Sequence, residues 1–486
     1  MPPPERCRLP NSLNTGMVSV CPGQGKRGTG FQSGPFVCLR LRPMQAIYQP
    51  AWNAFSQSCL VRRQAYRNVF PHGGWGQDLP LAHPFFGPVS CAPGRPWNAS
   101  IARASPPSRS PGDRDSREES KSMEDFFQHF LRQSGPVLCL DIGSGTQDAL
   151  LARPNLEVEN WPHFVLPSPA RIIAQRLREL ALLKRDVWLC GRNMGGGFLP
   201  AVRACLESGR RVYATRAAST ALNNDPERVQ ALGVVLAEER PAGTVPVHLA
   251  DYSAHAWSTL LRAAGLPVPH LVLASAQDHG YQGGGHGNRT VRMNRFASML
   301  AANPDPVSWV FRQPPAEMTR LQTLHESTGG PVADSATAMV LGAMVDDTVR
   351  KRSFRQGVTL VNVGNGHIFA ALLYRGLVRG IYEHHTGMRT RDELLADLRE
   401  FRRCFLPTEV VQASGGHGTA YGPLCEEAGG YEPTFVCGPQ RALLSGYGQP
   451  IAPFGSMMLA GALGLLWGCA SICSAGQPAG TQPDKA

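Results

Sequence analysis

Lysine is scarce in this chain of 486 residues, with five lysines among 48 basic residues. Nucleic-acid surfaces usually cluster lysine and arginine with interleaved aromatic residues, and no such stripe occurs here. The net charge of +11 is also unevenly placed, since residues 1–122 hold 15 basic and 6 acidic residues and the remainder is nearly neutral. The composition therefore predicts no nucleic-acid partner.

Several familiar cofactor motifs are missing as well. The sequence has no G-x4-G-K-[ST] phosphate loop. The glycines of Asn193-Met194-Gly195-Gly196-Gly197 lack the G-x-G-x-x-G spacing of a dinucleotide site. The thirteen cysteines include no C-x3-C-x2-C triplet, and Cys469 and Cys473 have no third ligand nearby, so neither an iron–sulfur nor a zinc site is predicted.

Export and membrane signals are also weak. No apolar leader follows the first residues, and the scattered cysteines suit a reducing compartment, so we expect a cytoplasmic location. The uncharged stretch over 446–476 contains prolines and many small residues. Its centre, over 457–467, is expected to form a buried helix, which predicts no membrane partner.

Composition divides the chain near residue 122. Residues 1–122 are rich in Pro, Gly, Ser and Arg without periodicity, which predicts a disordered segment or a non-native extension, with Met123 as the expected true start. From Val137 onward, strand and helix signals alternate. This alternation predicts an α/β fold with mixed sheets.

Two similar glycine turns stand far apart in the chain. The first is Asp141-Ile142-Gly143-Ser144-Gly145-Thr146 and the second is Asn362-Val363-Gly364-Asn365-Gly366-His367, each between apolar strands. Glycine has no Cβ, so such a tip brings bare backbone N–H groups against an anion, usually a phosphate. Two tips that face each other would clamp a nucleotide or another phosphorylated small molecule.

Histidines and one further acidic residue are weaker candidates. Asp278 and His279 follow a buried strand and are candidates for acid–base or substrate-contact chemistry. A turn in which Asp278 caps backbone N–H groups and His279 lies at the surface fits the sequence equally well. His367 is a candidate phosphate contact, whereas His384, His385 and His417 lack ligand spacing and predict no zinc site.

The order of these motifs resembles the actin, Hsp70 and sugar-kinase superfamily. Residues 141–148 are similar to its phosphate 1 motif, 334–342 to connect 1, 362–367 to phosphate 2, 438–441 to adenosine and 455–464 to connect 2. More closely, residues 141–148, 193–197 and 277–280 resemble an uncharacterised prokaryotic family labelled putative pyruvate formate-lyase-activating enzyme. That label implies radical chemistry on S-adenosylmethionine, which needs the cysteine triplet that this sequence lacks.

The superfamily resemblance implies two RNase H-like lobes of the actin type around a central cleft. The first lobe is expected over 135–347 with inserted βα units and the second over 356–468, followed by a flexible tail over 469–486. The resemblance also implies ATP and Mg²⁺ as ligands. The phosphates would lie against Gly143, Ser144, Gly145 and Thr146 on one side and Gly364, Asn365 and Gly366 on the other, with Gly438 and Pro439 beside the nucleoside.

The resemblance assigns Asp141 to a hydrated Mg²⁺, in keeping with the preference of this ion for carboxylates. Asn362 stands where the superfamily has aspartate, so one negative charge near the metal is absent. Asp148 replaces that charge if it points into the cleft; otherwise it is an exposed strand residue. These expectations favour a phosphotransferase or ATPase of unknown acceptor with Asp278 or His279 as base. A non-catalytic nucleotide-binding module that signals to or scaffolds a protein partner is the alternative, and Asn362 favours it.

Overall fold

The computed structural model describes residues 123–475, apart from 282–286 and 424. All described residues belong to one compact unit of the chain. The extension predicted over 1–122 lies outside the described residues, as do residues 476–486 of the predicted tail.

The strands are short and mostly buried. In chain order they are β1 (Val137–Ile142), β2 (Thr146–Ala152), β3 (His163–Pro167), β4 (Val187–Gly191), β5 (Val212–Ala214), β6 (Val235–Leu236), β7 (Val245–Leu249), β8 (Leu271–Ala276), β9 (Val310–Phe311), β10 (Val332–Ala333), β11 (Val358–Val363), β12 (His367–Tyr374), β13 (Leu377–His385), β14 (Gly418–Tyr421), β15 (Thr434–Cys437) and β16 (Gln449–Pro450).

The α-helices lie between these strands. They are α1 (Met123–Ser134), α2 (Pro169–Leu182), α3 (Leu199–Glu207), α4 (Arg216–Ser219), α5 (Pro226–Ala231), α6 (Ala254–Ala263), α7 (Asn288–Ala302), α8 (Thr319–Thr328), α9 (Ser335–Val345), α10 (Asp347–Arg355), α11 (Arg391–Arg402), α12 (Thr408–Ala413) and α13 (Ala460–Ala475). Local sequence explains several starts: Ser168 and Asp334 cap α2 and α9, and Thr390 forms a capping box with Glu393.

Two sheets share one plan. The first has the order β3-β2-β1-β8-β10-β9, and the second has the order β14-β13-β12-β11-β15-β16. In the first sheet, β1, β2 and β3 form an antiparallel meander, and β1 also pairs in parallel with β8. In the second sheet, β11, β12 and β13 form an antiparallel meander, and β11 also pairs in parallel with β15. This repeated topology confirms the predicted α/β fold with two RNase H-like halves and mixed sheets. The boundaries given for the lobes remain predictions.

A smaller parallel sheet is inserted between β3 and β8. Its order is β6-β5-β4-β7, and its helices have their own apolar core around Leu177, Leu189 and Val202. The parallel pairing of β4 with β5 across α3 is the predicted βαβ unit. The insertion supplies one wall of the cleft described below.

Two helices of small residues cross between the large sheets. One core joins residues of both sheets with α9 and α13. A Cβ on Gly342 would overlap the carbonyl oxygen of Ala460, and a Cβ on Gly464 would overlap the carbonyl oxygen of Ala338. The two helix backbones therefore touch directly, which only glycine permits at these two positions.

The C-terminal helix is longer than expected. It continues to Ala475, so residues 469–475 belong to the helix and not to the predicted tail, because Cys469 and Ala470 pack into the core. Its region over Met457–Ser474 is apolar and long enough to cross a membrane by length and composition, yet 61% of that window is buried inside the protein.

Candidate functional site

The two glycine tips have the same backbone hydrogen bond. The N–H of Gly143 donates to the carbonyl of Thr146 at 2.9 Å, and the N–H of Gly364 donates to the carbonyl of His367 at the same distance. Both turns bring a strand back on itself after two glycines. The sequence predicted this local structure correctly because the signals for it are local.

Each tip is also held by a hydroxyl residue that follows the third strand of its sheet. Ser168, after β3, donates through its backbone N–H to the carbonyl of Gly145 and through its hydroxyl to that of Ser144. Thr386, after β13, donates through its N–H to the carbonyl of Gly366 and through its hydroxyl to that of Gly364. The N–H bonds are thus equivalent in the two halves, whereas the hydroxyl bonds reach carbonyls one position apart in the two tips.

The tips meet each other. A Cβ on Gly145 would lie 2.7 Å from Nδ2 of Asn365, and a Cβ on Gly366 would lie 2.5 Å from Oγ of Ser144. Within the described residues, no protein acceptor takes the N–H of Ser144, Gly145, Asn365 or Gly366. The contact therefore gathers four free amide donors at one place.

A cavity of about 530 Å³ lies at this contact, within the size range of small-ligand sites. All thirteen site residues predicted from the sequence line it: Asp141, Gly143, Ser144, Gly145, Thr146, Asp278, His279, Asn362, Gly364, Asn365, Gly366, Gly438 and Pro439. The inserted sheet contributes Asn193–Gly197 to the same wall. The structure thus brings the predicted residues together; what each of them does remains a prediction.

Two carboxylates face the cavity from the first hairpin. Asp141 and Asp148 are directly opposite in the β1–β2 register, and both line the cavity. Asp141 Oδ1 accepts hydrogen bonds from the hydroxyls of Ser275 (2.6 Å) and Ser335 (3.0 Å), while its Oδ2 occupies the space that a Cβ on Gly461 would need. This arrangement decides the open question about Asp148, which points into the cleft.

Burial strongly affects this pair. Burial raises the pKa of the Asp148 carboxyl to about 7, and the neighbouring Asp141 adds to the shift. Burial also raises the pKa of Asp141, although the two serine hydroxyls oppose the change. The Oδ1 atom of Asp148 has no hydrogen-bond partner within the described chain. Two close carboxylates with one unpartnered oxygen fit a divalent cation that prefers oxygen ligands, as Mg²⁺ does.

Asn362, the departure from the superfamily pattern, lies in the corresponding position of the second hairpin. Its Oδ1 accepts a hydrogen bond from the thiol of Cys437, at the end of β15, with Oδ1 and Sγ 3.7 Å apart. The next residue, Gly438, has a φ of +99°, and a Cβ there would overlap the carbonyl oxygen of Val363. Glycine is therefore required where the chain turns from β15 into the cavity wall.

Asp278 has a structural use. Its carboxylate accepts the backbone N–H groups of Gly280 (2.5 Å), Arg320 (3.0 Å) and Leu321 (2.9 Å). The Arg320 side chain pairs in turn with Asp251 through two bonds of 2.7 and 2.9 Å. These contacts match the capping alternative for Asp278 and leave its carboxylate without a free oxygen. His279, which the same alternative put at the surface, is instead half-buried and lines the cavity.

A buried arginine links the two halves. Arg292 of α7 pairs with Asp334 through two bonds of 2.7 and 2.9 Å and with Glu383 of β13 at 2.6 Å. All three side chains are almost completely buried. Burial alone would raise the pKa of Glu383, but Arg292 and His417 hold it well below its ordinary value. The charge on Glu383 is thereby fixed beside the cavity.

Four histidines gather next to Glu383, and sequence reasoning missed this cluster. Ring centroids are 4.6 Å apart for His367 and His385, 5.1 Å for His367 and His417, and 5.0 Å for His385 and His417. His279 lies 5.1 Å from His417. Burial lowers the pKa of His367 and of His385 to about 4, and burial lowers that of His279 well below its ordinary value, so the rings are neutral near pH 7.

One sequence signal did exist for part of this cluster. Arg375 and Gly376 both have positive φ and form the tight turn between β12 and β13. A hairpin folded regularly about this turn would place His367 opposite His384, and a bulge between Leu372 and Leu373 shifts the register so that His367 faces His385 instead. His417 comes from a separate strand whose pairing the sequence does not specify, so the full cluster needed the structure.

The repeated sheets and the shared cleft define a two-lobed protein with RNase H-like topology and a cavity between the lobes. A family model described as "putative pyruvate formate-lyase activating enzyme (DUF1786)" matches residues 194–443, just over half of the chain. The chain therefore belongs to this family, as its motifs had indicated. No curated protein sequence matches it.

Solved structures with similar folds are distant. One is the ethanolamine utilization protein EutJ from Carboxydothermus hydrogenoformans, with a TM-score of 0.21 and 10% identity over 68% of this chain and 88% of that chain. Another is MreB5 of Spiroplasma citri bound to ADP, with a TM-score of 0.27 and 10% identity over 68% of this chain and 95% of that chain. A PilM–PilN type IV pilus biogenesis complex also matches, with a TM-score of 0.25 and 11% identity over 69% of this chain and 98% of that chain. These similarities are too remote to bear on function, and the fold assignment rests on the strand order.

Proposed function

We propose that the cleft binds ATP or a related phosphorylated ligand, with its phosphates at the contact of the two glycine tips. The observation that carries this proposal is the meeting of both tips at one cavity, where four backbone amides have no protein acceptor. Successive free N–H groups in such turns form anion-binding concavities. The ligand would enter by parting the tips or from the side walls of the cavity.

The carboxylates of Asp141 and Asp148 would hold a Mg²⁺ ion beside the phosphates. This ion, when bound, neutralises phosphate charge and orients the phosphoryl group. Asp141 is oriented by the two serine hydroxyls, and Asp148 supplies the charge that Asn362 does not. The polar wall of Asp141, Asp148 and Asn362 thus suits a metal–phosphate complex better than an uncharged ligand.

For the catalytic version, a phosphotransferase or ATPase, His279 is the better base of the two predicted candidates. Its ring lines the cavity and is neutral, so a nitrogen lone pair is available, although burial and the nearby Arg292 lower its pKa and weaken it as a base. The carboxylate of Asp278 is already engaged by three backbone amides. The non-catalytic alternative, a module that binds the nucleotide and signals to a protein partner, is favoured by the amide at Asn362 and by this engagement of Asp278.

Calorimetry with ATP, with and without Mg²⁺, followed by a phosphate-release assay, tests the proposal. We expect binding that strengthens with Mg²⁺ and loses this metal dependence in Asp141→Ala and Asp148→Asn. Glu207→Gln, an exposed change at the end of α3, should behave as the parent protein. Metal-dependent turnover would support the enzyme, and binding without turnover would support the module. No affinity for ATP in any condition would refute both.

A cytoplasmic location is proposed with either version. The cysteines of the described region, from Cys139 to Cys473, are free thiols. Free thiols in such number suit a reducing compartment. Fractionation of cells that make the tagged protein would test this location.

A further inference from the structure

Three of the cleft histidines come from one edge of the second sheet. His367 begins β12 and His385 ends β13, and the two are paired across these strands. His417 directly precedes Gly418, which pairs with Glu383 at the start of β14. Their three potential ligand atoms all lie within 4.8 Å of one another. Strand pairing, which is rigid, therefore brings three imidazoles to one point.

The nitrogens of these imidazoles are little used within the protein. In the part of the chain that the structure describes, the ring nitrogens of His367 and His385 make no hydrogen bond, and Nδ1 of His417 lies 3.4 Å from Glu383. The neighbouring His384 differs, since its Nδ1 accepts the backbone N–H of His385 at 2.8 Å and its Nε2 contacts the hydroxyl of Ser414 at 3.2 Å. A histidine that only fills the core is normally satisfied in the way that His384 is.

His417 is the most informative member. Its side chain is 1% exposed, and its Nδ1 lies 3.4 Å from Oε2 of Glu383, a contact that lowers the pKa of Glu383 although its geometry is poor for a hydrogen bond. Glu383 is itself held by Arg292 and Gln277. A fixed carboxylate beside one imidazole nitrogen is the usual outer partner of a histidine whose other nitrogen binds a metal.

We propose that His367, His385 and His417 bind a divalent first-row transition-metal ion of the Zn²⁺ class. Neutral imidazoles are the ligands that such ions prefer, whereas Mg²⁺ prefers the oxygens of Asp141 and Asp148. Zinc–nitrogen bonds of about 2.0–2.1 Å place tetrahedral ligands about 3.4 Å apart, so small ring rotations would close the present spacing.

Three histidines leave at least one coordination position for water or a ligand. His367 and His385 both line the large cavity, so that open position faces the same space as the glycine tips. His367 also directly follows Gly366 of the second tip. The transition-metal site therefore adjoins the proposed phosphate site and is chemically distinct from it.

Cobalt is a suitable probe, because Co²⁺ in a histidine site absorbs visible light. The full chain, stripped of metal with a chelator, would be titrated with Co²⁺ and then with Zn²⁺ as competitor. We expect one equivalent of Co²⁺, displaced by Zn²⁺. Losing a residue that only hydrogen-bonds to a metal ligand typically weakens metal affinity by about 10–100-fold. His385→Gln and His417→Gln, which remove a ligand itself, should each weaken Co²⁺ affinity by more than that. The exposed His255→Gln, on α6, should bind as the parent does.

Folding must be followed in the same samples. Circular dichroism and thermal melting separate loss of a ligand from loss of structure, and the half-buried His385 makes His385→Gln the safer variant. No Co²⁺ binding, or equal binding by the parent and by folded His385→Gln, would overturn the proposal. Asp148→Asn should keep its Co²⁺ site. If the protein bound ATP but not Co²⁺, the transition-metal site would be refuted and the proposed function would stand. If it bound Co²⁺ but not ATP, the proposed function would be refuted and the transition-metal site would stand.

Discussion

The two glycine hairpins have the same backbone and different side chains. Both make the same turn hydrogen bond, and both are held by a hydroxyl residue after the third strand. Yet the first hairpin carries Asp141, Thr146 and Asp148 where the second carries Asn362, His367 and Phe369. One half offers oxygen ligands to the cleft and the other offers nitrogen ligands.

This difference separates two tasks. In the proposed function, the backbone of each tip would provide N–H donors for an anion, which any sequence with glycines at these positions would do. The side chains would then decide which cation accompanies that anion, because carboxylates favour Mg²⁺ and imidazoles favour transition metals. On this proposal the repeated fold sets the place of binding, and the divergence between its two halves sets the chemistry.

The largest expected effect tests whether burial of the two carboxyls in the first hairpin reduces the stability of the fold at neutral pH. The pKa of Asp148 in the folded protein, about 7, is above its value of 3.8 in the unfolded chain. Between these values only the folded state binds the proton, so stability should fall by about 1.4 kcal/mol per pH unit as the pH rises.

Asp148→Asn removes this titration. Without added metal, the variant should be more stable than the parent at pH 7.5, and the difference should shrink toward pH 4. Denaturant unfolding at several pH values measures it, with Glu207→Gln as control. Parallel stability curves for Asp148→Asn and the parent would show that the charge on Asp148, beside Asp141, costs the fold nothing.

The second effect concerns the helices that follow the two sheets. Gly464→Ala would drive a methyl group into the backbone of α9, and overpacking of this kind should cost about 3 kcal/mol. Thermal unfolding measures the loss. Gly387→Ala is the control because no atom lies within 4 Å of its added Cβ, and its change should stay within about 0.5 kcal/mol. Equal melting temperatures would mean that the helices separate easily.

The third effect asks whether the two tips act as equal partners. Gly145→Ala and Gly366→Ala each place a methyl group against the opposite tip. Each should raise the dissociation constant for ATP by about tenfold, which is about 1.4 kcal/mol. Gly387→Ala should leave it unchanged. A large loss for one tip alone would show that the ligand uses only one half.

The smallest effect comes from making the second hairpin resemble the first. Asn362→Asp adds a carboxylate to the cavity wall opposite Asp141. Mg²⁺ should then strengthen ATP binding about threefold more than in the parent, since one screened charge contributes within about 1 kcal/mol. Asn294→Asp adds the same charge at an exposed position of α7 and should have no effect. A weaker response to Mg²⁺ would place the ion away from Asn362.

The sequence predicted the features that local signals control. Glycine and Asx residues define the two tips, and the alternation of strand and helix signals predicted the mixed sheets. The shared cleft was implied by the resemblance to the actin, Hsp70 and sugar-kinase superfamily. The direction of Asp148 needed the β1–β2 register, because a strand alone does not say which face is the cleft. The end of α13 was predicted too early, since the composition does not reveal that Cys469 packs in the core.

The histidine site needed long-range pairing. The hairpin turn at Arg375-Gly376 brings His367 near the end of β13, but a bulge after Leu372 is needed to pair it with His385. His417 reaches them only because β14 joins the edge of the second sheet. Residues that converge through sheet pairing carry no spacing motif. The missed site and the predicted site thus differ in how far apart in sequence their members lie.

The contact of Asp141 with Gly461 has a consequence for biosynthesis. The carboxylate of the first hairpin lies against a glycine that is translated roughly 320 residues later, a very non-local contact. A nascent chain that has emerged only as far as the first sheet therefore has Asp141 and Asp148 in place but lacks the helix that packs against Asp141. Nucleotide added to stalled ribosome complexes should be retained only once the segment around Gly461 has left the exit tunnel.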